Sequence, residues 1–227
     1  MIIRPIYNIL LLPDVSYYFK KDFFSGFGGE SIETGSDILF IFLKNDREDN
    51  DYTPDDFYPI GLAARAEGFG EEDAVSVRTL HRVDISDLEI SDSGTTAAAS
   101  IRAEAADMTA GEEKQHFARL RSALLKFVQG YQWGLWARSF ILQRKNICDL
   151  ACALSDYLNL TAEEKYEILA ADSLRARYDL ITNAVSEFIE VAKVSEEAQN
   201  AQKGDQELLY REAAIKKQID YLQKELD

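Results

Sequence analysis

Histidine and cysteine, the side chains most often used for acid–base, nucleophilic and metal chemistry, are rare in this sequence. It contains two histidines, His81 and His116, and two cysteines, Cys148 and Cys152. The histidines fall in different halves of the chain, and no G-x-S-x-G, H-E-x-x-H or Walker A pattern is present. The sequence therefore predicts no catalytic residue in this chain.

The two cysteines are spaced so that one helix could present both to a metal ion. Residues four apart lie on the same helix face, but no histidine or second cysteine pair completes the four ligands of a zinc site. Their neighbours are small and apolar, which favours thiols buried in a core. The acidic run over residues 46–56 lacks the central glycine of a calcium loop. No metal site is predicted.

Aromatic residues form a more informative group near the start of the chain. They surround the charged triplet Lys20-Lys21-Asp22 and lead into a glycine-rich loop. The group consists of Tyr17, Tyr18, Phe19, Phe23, Phe24 and Phe27. Aromatic side chains are mostly buried, yet an exposed subset would make an apolar patch suited to binding another chain. The sequence alone does not decide whether this group packs in the core or forms a binding surface.

Short apolar runs separated by turn signals predict strands in the first half of the chain. The predicted strands cover residues 6–12, 38–43, 58–65, 75–80 and 97–105. The run over 38–43 is apolar on both sides, which indicates burial on both faces. Residues 75–80 alternate, which indicates one wet face. Residues 1–107 are therefore predicted to form a small, mostly antiparallel β domain.

The hydrophobic period becomes helical from about residue 109. Thr109 with Glu112, and Thr161 with Glu164, are capping-box patterns that predict helix starts. Trp133, Trp136 and Phe140 extend an apolar helix face. Helices are predicted over 109–128, 147–158, 163–170 and 174–194, so residues 108–195 are predicted to form a helical bundle. A last helix is predicted within 205–227, where an incomplete heptad pattern leaves a coiled coil open.

Composition excludes several classes of protein. The chain has 227 residues, 46% of them hydrophobic and 29% charged, as in folded globular proteins. Lys and Arg number 25 against 40 Asp and Glu, a net charge of −15, which disfavours nucleic acid unless a local basic patch exists, and disfavours anionic membranes. Two cysteines indicate a reducing compartment. No apolar run approaches the roughly 20 residues of a membrane span, so a cytoplasmic protein is expected.

Several segments resemble the N-terminal domain of the Lon protease family. Residues 5–13 resemble its opening strand, 38–65 its strand, loop and D-L-Y-x-x-G-T-x-A segment, and 75–85 its V-x-G-x-x-R-V-x-I strand pair. Residues 210–226 are similar to its Y-x-L-x-E-Q-x-x-x-I-Q-K-E-L ending. The family typically has Arg-Asp where this chain has Tyr7-Asn8, and it favours glycine at the position of Thr79. These departures indicate a divergent member.

The resemblance implies an α+β fold: a PUA-like antiparallel β-barrel, a helical bundle and a long C-terminal helix. It implies a truncated part of an ATP-dependent serine endopeptidase, whose ATP and Mg²⁺ would belong to a missing module, so that this chain needs no cofactor. It further implies a non-catalytic domain that recognises unfolded or degron-bearing proteins and assists assembly of a hexamer.

Two sets of site residues follow from the resemblance as hypotheses. The six aromatic residues named above would capture substrate. The terminal helix would bring protomers together through Leu208, Ile215, Ile219, Leu222 and Leu226. A stand-alone adaptor, an oligomerisation scaffold and a small-molecule pocket remain as alternatives.

Overall fold

The computed structural model describes residues 1–24, 32–46, 52–91, 94–131, 133–196 and 198. The chain divides into two compact units, Met1–Val185 and Ser186–Asp227. The first unit contains every strand described below. The helix predicted within residues 205–227 lies outside the described residues, and the predicted domain boundaries at 107 and 195 stay predictions.

The described residues contain six strands that form one mixed sheet. They are β1 (Ile2–Ile6), β2 (Ser16–Lys20), β3 (Asp37–Phe42), β4 (Ile60–Phe69), β5 (Ala74–Ser91) and β6 (Gly94–Ile101). Their order is β1-β3-β4-β5-β2, with β6 paired to β5. β1 runs parallel to β3, whereas the other pairs are antiparallel. In this part of the chain the sheet is open between β1 and β2, and barrel closure stays a prediction.

The apolar pattern predicts the burial of two strands correctly. In β3 every residue from Ile38 to Phe42 is buried, as expected for a strand covered on both faces. In β5 the side chains of Val75, Val77 and Thr79 are buried, and the residues between them are half-buried. These alternating residues form the central part of the sheet core.

The first strand lies earlier in the chain than predicted. β1 ends at Ile6, whereas the prediction placed a strand over residues 6–12. Asn8 has a φ of 54°, a left-handed conformation that interrupts an extended strand. Residues 10–12 are nevertheless buried. Their apolar character marks a core segment of irregular backbone, which periodicity alone does not distinguish from a strand.

The described residues contain five α-helices. They are α1 (Ala110–Val128), α2 (Gly134–Leu142), α3 (Ile147–Leu154), α4 (Ala162–Ala170) and α5 (residues 174–196). Both predicted capping boxes are confirmed: the Thr109 N–H donates to Glu112 at 2.8 Å, and the Thr161 N–H donates to Glu164 at 2.8 Å. α3 stops at Leu154, four residues before its predicted end. None of the described helices is long and apolar enough to cross a membrane.

Helix α4 attaches to the sheet through two neighbouring residues. The Ile60 N–H donates to the Tyr166 hydroxyl at 3.1 Å, and the Tyr166 ring stacks on Tyr58 with centroids 3.8 Å apart. The Lys165 ammonium donates to the backbone and side-chain oxygens of Asn8, each at 2.9 Å. Burial lowers the pKa of Lys165. Asn8, one of the departures from the resembled pattern, therefore satisfies a buried lysine.

Candidate functional site

The predicted aromatic group lies on strand β2 and the 3-10 turn Lys21–Phe24 that follows it. Because side chains alternate along a strand, Tyr17 and Phe19 are half-buried while Tyr18 between them is 76% exposed. Phe24 is fully buried and Phe23 is half-buried. Phe27 lies outside the described residues. The described members of the group thus comprise one exposed ring and four that are half-buried or buried.

Three phenylalanines of this group pack on one another and on the sheet. Phe19 stacks on Phe23 at 4.8 Å between centroids and meets Phe24 edge-on at 5.8 Å. Phe23 and Phe24 are also perpendicular, at 5.1 Å. Phe19 reaches Phe40 of β3 at 5.6 Å. These offset and edge contacts are favourable geometries for aromatic rings, and they hold the turn after β2 against the core.

The Tyr17 hydroxyl joins β2 to helix α3. It accepts the Leu12 N–H at 2.9 Å and lies 2.8 Å from the Sγ of Cys152. Burial and the neighbouring thiol raise the pKa of Tyr17 well above its usual value. Burial also raises the pKa of Cys148 to about 12, and that of Cys152 rises for the same reason. Both cysteines are therefore protonated at neutral pH, as core thiols are.

Strand β2 is an edge strand in the described sheet. Its registered partner is β5, from Ser16 opposite Arg78 to Lys20 opposite Ala74. The backbone groups of β2 that point away from β5 pair with no other described strand. An edge of this kind can accept an additional extended segment. The exposed Tyr18 side chain therefore lies on a strand that has one paired edge among the described strands.

Thr79, the second departure from the resembled pattern, fixes the chain segment that leads into β2. Its hydroxyl accepts the Val15 N–H at 2.9 Å and lies 2.7 Å from the Leu12 carbonyl oxygen. The side chain is completely buried. A glycine at this position could make none of these hydrogen bonds. Thr79 therefore has a structural role that the glycine of the family pattern cannot have.

Two buried arginines bind the carboxyl end of α4, which sequence reasoning does not predict. Arg82 of β5 donates to the carbonyl oxygen of Ala170 at 3.1 Å and to Asp172 at 3.0 Å. Arg177 of α5 donates to the carbonyl oxygen of Ala171 at 2.8 Å and pairs with Glu104. Cations at this end of a helix satisfy its free carbonyl groups and complement its dipole. The signal in the sequence is the arginine of the V-x-G-x-x-R-V-x-I pattern.

The other predicted site residues are not placed. The five apolar residues of the terminal helix, Leu208, Ile215, Ile219, Leu222 and Leu226, lie outside the described residues. Among the residues that the structure describes, no group of three or more His, Cys, Asp and Glu side chains is arranged to hold a metal ion. The oligomerisation role of the terminal helix stays a prediction.

Comparison with known proteins identifies a family. The family described as the ATP-dependent protease La (LON) substrate-binding domain matches residues 5–187. A Lon protease of Clostridium beijerinckii is 21% identical over 228 aligned residues, covering 98% of this chain and 29% of that protein. The chain therefore spans less than a third of the length of this relative.

One solved structure shows the same fold, and a second is similar over part of the chain. The N-terminal domain of the Mycobacterium avium complex Lon protease superimposes with a TM-score of 0.52 at 14% identity, covering 81% of this chain and 96% of that one. A Lon N-terminal domain protein from Xanthomonas campestris covers 75% of this chain and 89% of its own, with a TM-score of 0.40 and 14% identity. The first of these supports the α+β fold described above.

Proposed function

Because the chain belongs to the family of Lon substrate-binding domains, we propose that it captures unfolded or degron-bearing proteins and catalyses no reaction itself. The observation that carries this proposal is the family match over residues 5–187. The proposal extends to the Tyr18 side of strand β2, where an exposed aromatic side chain lies on a strand that pairs only with β5 among the described strands.

Capture at β2 would use two kinds of contact. An extended segment added along the edge of β2 would gain backbone hydrogen bonds, which do not depend on its sequence. Tyr18 on one face of the strand, and the half-buried Phe19 and Phe23 on the other, would contact apolar side chains of that segment. Burial of apolar area stabilises such a contact by roughly 25 cal/mol per Å² removed from water. Folded proteins hide their apolar segments and their strand edges, so the surface would favour unfolded chains.

Assembly would raise the weak affinity of a single surface. We expect Leu208, Ile215, Ile219, Leu222 and Leu226 to bring copies of the chain together, and a hexamer to present six capture surfaces to one substrate. In a longer protein of this kind, ATP and Mg²⁺ would be held by a separate module, and the location would be the cytoplasm. Closure of the sheet into a PUA-like barrel belongs to the same proposal.

The test is a binding titration with one protein in a native and a permanently unfolded form, without nucleotide. We expect selective binding of the unfolded form. Tyr18→Ser should weaken it about tenfold, the change that corresponds to 1.4 kcal/mol. Tyr157→Ser is the matched control, because Tyr157 is also exposed but lies after α3. Equal binding of the two forms, or no binding, would contradict the proposal.

Removal of residues 205–227 separates recognition from assembly. A substrate-recognition domain keeps its intrinsic preference for the unfolded protein after this deletion and loses only self-association, measured by sedimentation. Loss of both properties would instead support an oligomerisation scaffold.

A further inference from the structure

Helix α2 presents an unusual number of large apolar side chains to solvent. Leu135 is 83% exposed and Trp136 is 65% exposed. Trp133 and Leu142 are each about half exposed. These four residues, together with Arg138 and Lys145, are called the α2 surface below. Exposed apolar patches of this kind mark sites of interaction in soluble proteins.

These large side chains point outward because α2 buries only a narrow face. This face consists of Gly134, Ala137 and Ile141. A Cβ atom on Gly134 would collide with the carbonyl oxygen of Val128, so α2 approaches the end of α1 more closely than any other residue would allow. The small residues occupy the contact with the rest of the unit, and the tryptophans and leucines are left on the other faces.

The charge around α2 is opposite to that of the rest of the chain. Residues 114–148 contain seven Lys and Arg residues and no Asp or Glu. The remaining 192 residues contain 18 Lys and Arg residues and all 40 Asp and Glu residues. The segment that carries the exposed tryptophans is therefore a local basic region in an acidic protein.

The cations at the α2 surface are available to a ligand. Among the described residues, neither the Arg138 guanidinium nor the Lys145 ammonium has a carboxylate partner. Arg144 differs, because its guanidinium lies 4.8 Å from the Phe140 ring centroid and 3.3 Å from Asp149. The Phe140 ring stacks in turn on Trp136 at 5.6 Å. Arg144 thus packs against Phe140, which stacks on Trp136, while Arg138 and Lys145 have no carboxylate partner in the part of the chain that the structure describes.

We propose that the α2 surface binds protein segments in which apolar side chains are flanked by Asp and Glu. The apolar side chains would cover Leu135, Trp136 and Leu142, and the carboxylates would meet Arg138 and Lys145. This inference rests on the proposed function, since it assigns a substrate class to a second surface of the same substrate-binding domain. It predicts that unfolded segments rich in Lys and Arg are poor ligands.

A peptide fits these observations better than a bilayer or a nucleic acid. An extended peptide contacts only the α2 surface and carries a few charges. An anionic bilayer or a polynucleotide presents many charges, and it would also face the acidic remainder of the protein. Bases could stack on the exposed tryptophans, but they would leave Leu135 and Leu142 uncovered, whereas apolar side chains of a peptide can cover all four residues.

The experiment uses the fluorescence of the full chain, because both of its tryptophans lie at the α2 surface. The probe is a synthetic twelve-residue peptide of alternating Leu or Phe and Asp or Glu. Two matched peptides replace its acidic residues by Lys or its apolar residues by Ser. We expect the first peptide to shift the emission in a saturable, salt-sensitive way, and each matched peptide to bind at least about tenfold more weakly.

Two pairs of variants locate the binding. Arg138→Glu should weaken it about fivefold, as a charge at an interface rim does, and Leu135→Ser should weaken it about tenfold. Lys193→Glu is the control for Arg138→Glu, because it makes the same change in net charge on an exposed residue of the other unit. Tyr157→Ser is the control for Leu135→Ser. Circular dichroism checks that each variant is folded.

Three outcomes would overturn this inference. They are equal binding of the acidic and Lys-containing peptides, an acidic peptide that binds unchanged to Arg138→Glu and Leu135→Ser, and a preference for single-stranded DNA or anionic vesicles over the peptide. If the chain still binds unfolded protein in these cases, the proposed function stands and only the α2 surface is removed from it. If it binds no unfolded protein, the proposed function itself fails.

Discussion

The segment from β2 to Phe24 and helix α2 are both rich in aromatic residues, and the protein uses them in opposite ways. Around β2 most rings pack on each other and on Phe40, and a single ring, Tyr18, is exposed. On α2 the buried positions hold small residues and one isoleucine, and the tryptophans are exposed. Aromatic content therefore indicates neither a core nor a binding surface until the packing of each element is known.

The difference comes from the contacts that each element makes. β2 is fixed by its pairing with β5 and by the Tyr17 hydroxyl, and its rings fill the space beside β3. α2 is fixed by the close approach that Gly134 permits. α2 therefore buries small residues and one isoleucine and leaves its tryptophans exposed, whereas β2 and the following turn bury most of their rings and leave Tyr18 exposed.

The largest expected effect is the loss of stability when a ring of the β2 segment is truncated. Phe24→Ala should lower the free energy of unfolding by about 3–5 kcal/mol, because it leaves a cavity beside Phe19 and Phe23. Trp136→Ala should change it by no more than about 1 kcal/mol, since that side chain is 65% exposed and its described ring contact is with Phe140 on the same helix. Urea unfolding followed by far-ultraviolet circular dichroism measures both. Similar losses of stability in the two variants would contradict the conclusion that the β2 rings belong to the core and the α2 tryptophans do not.

A second, smaller effect separates two neighbouring tyrosines on β2. Tyr17→Phe removes the hydroxyl that the Leu12 N–H and Cys152 share, and it should cost about 1–3 kcal/mol because a buried donor loses its partner. Tyr18→Phe removes a hydroxyl exposed to water and should leave stability unchanged within about 0.5 kcal/mol. The same urea titration applies. A loss in Tyr18→Phe as large as in Tyr17→Phe would show that the exposed ring is also part of the core.

The smallest effect concerns the pH dependence of stability. Helix α1, which precedes α2, has the carboxylate of Glu112 in the capping box at its start. The Thr109 N–H and Arg175 lower the pKa of Glu112 from 4.5 to about 2. A depressed carboxyl pKa stabilises the fold above the unfolded value, and this contribution is lost as the pH falls from 4.5 towards 2. Glu112→Gln should therefore be less stable than the parent chain at pH 7, and the difference should shrink below pH 4.5.

Tyr17→Phe serves as the control for this pH dependence. Because the pKa of Tyr17 is raised and the group stays protonated throughout this range, its cost should be the same at pH 7 and pH 4. Thermal unfolding in a pH series distinguishes the two variants. A constant difference for Glu112→Gln across the series would contradict the assigned role of its charge.

Strong local signals in the sequence predict the fold well where they occur. The capping boxes at Thr109 and Thr161 fix the starts of α1 and α4, and the apolar run from Ile38 fixes β3. β1 is misplaced because residues 10–12 are as apolar as a strand. The left-handed conformation of Asn8, whose oxygens accept from Lys165 far away in the sequence, ends the extended backbone before them.

The candidate site is predictable only in part. The sequence indicates an aromatic group near residue 20, but alternation along β2 and the packing of the following turn decide which rings face solvent. Trp133 and Trp136 are exposed on a helix whose Gly134 lies directly against the Val128 carbonyl oxygen. Such contacts join parts of the backbone and leave no periodic signal in the sequence.

The contact of Arg82 with α4 has a consequence for how the molecule is divided in experiments. Arg82 belongs to β5, yet its hydrogen bonds reach Ala170 and Asp172, almost 90 positions later in the chain. A polypeptide that ended after β6 would retain Arg82 but would lack the Ala170 carbonyl group and the Asp172 carboxylate to which its guanidinium donates. The arginine would then be a buried charge without these partners. The sheet and helix α4 are therefore expected to unfold in one cooperative transition, and truncation of the chain between them should yield insoluble or partly folded products.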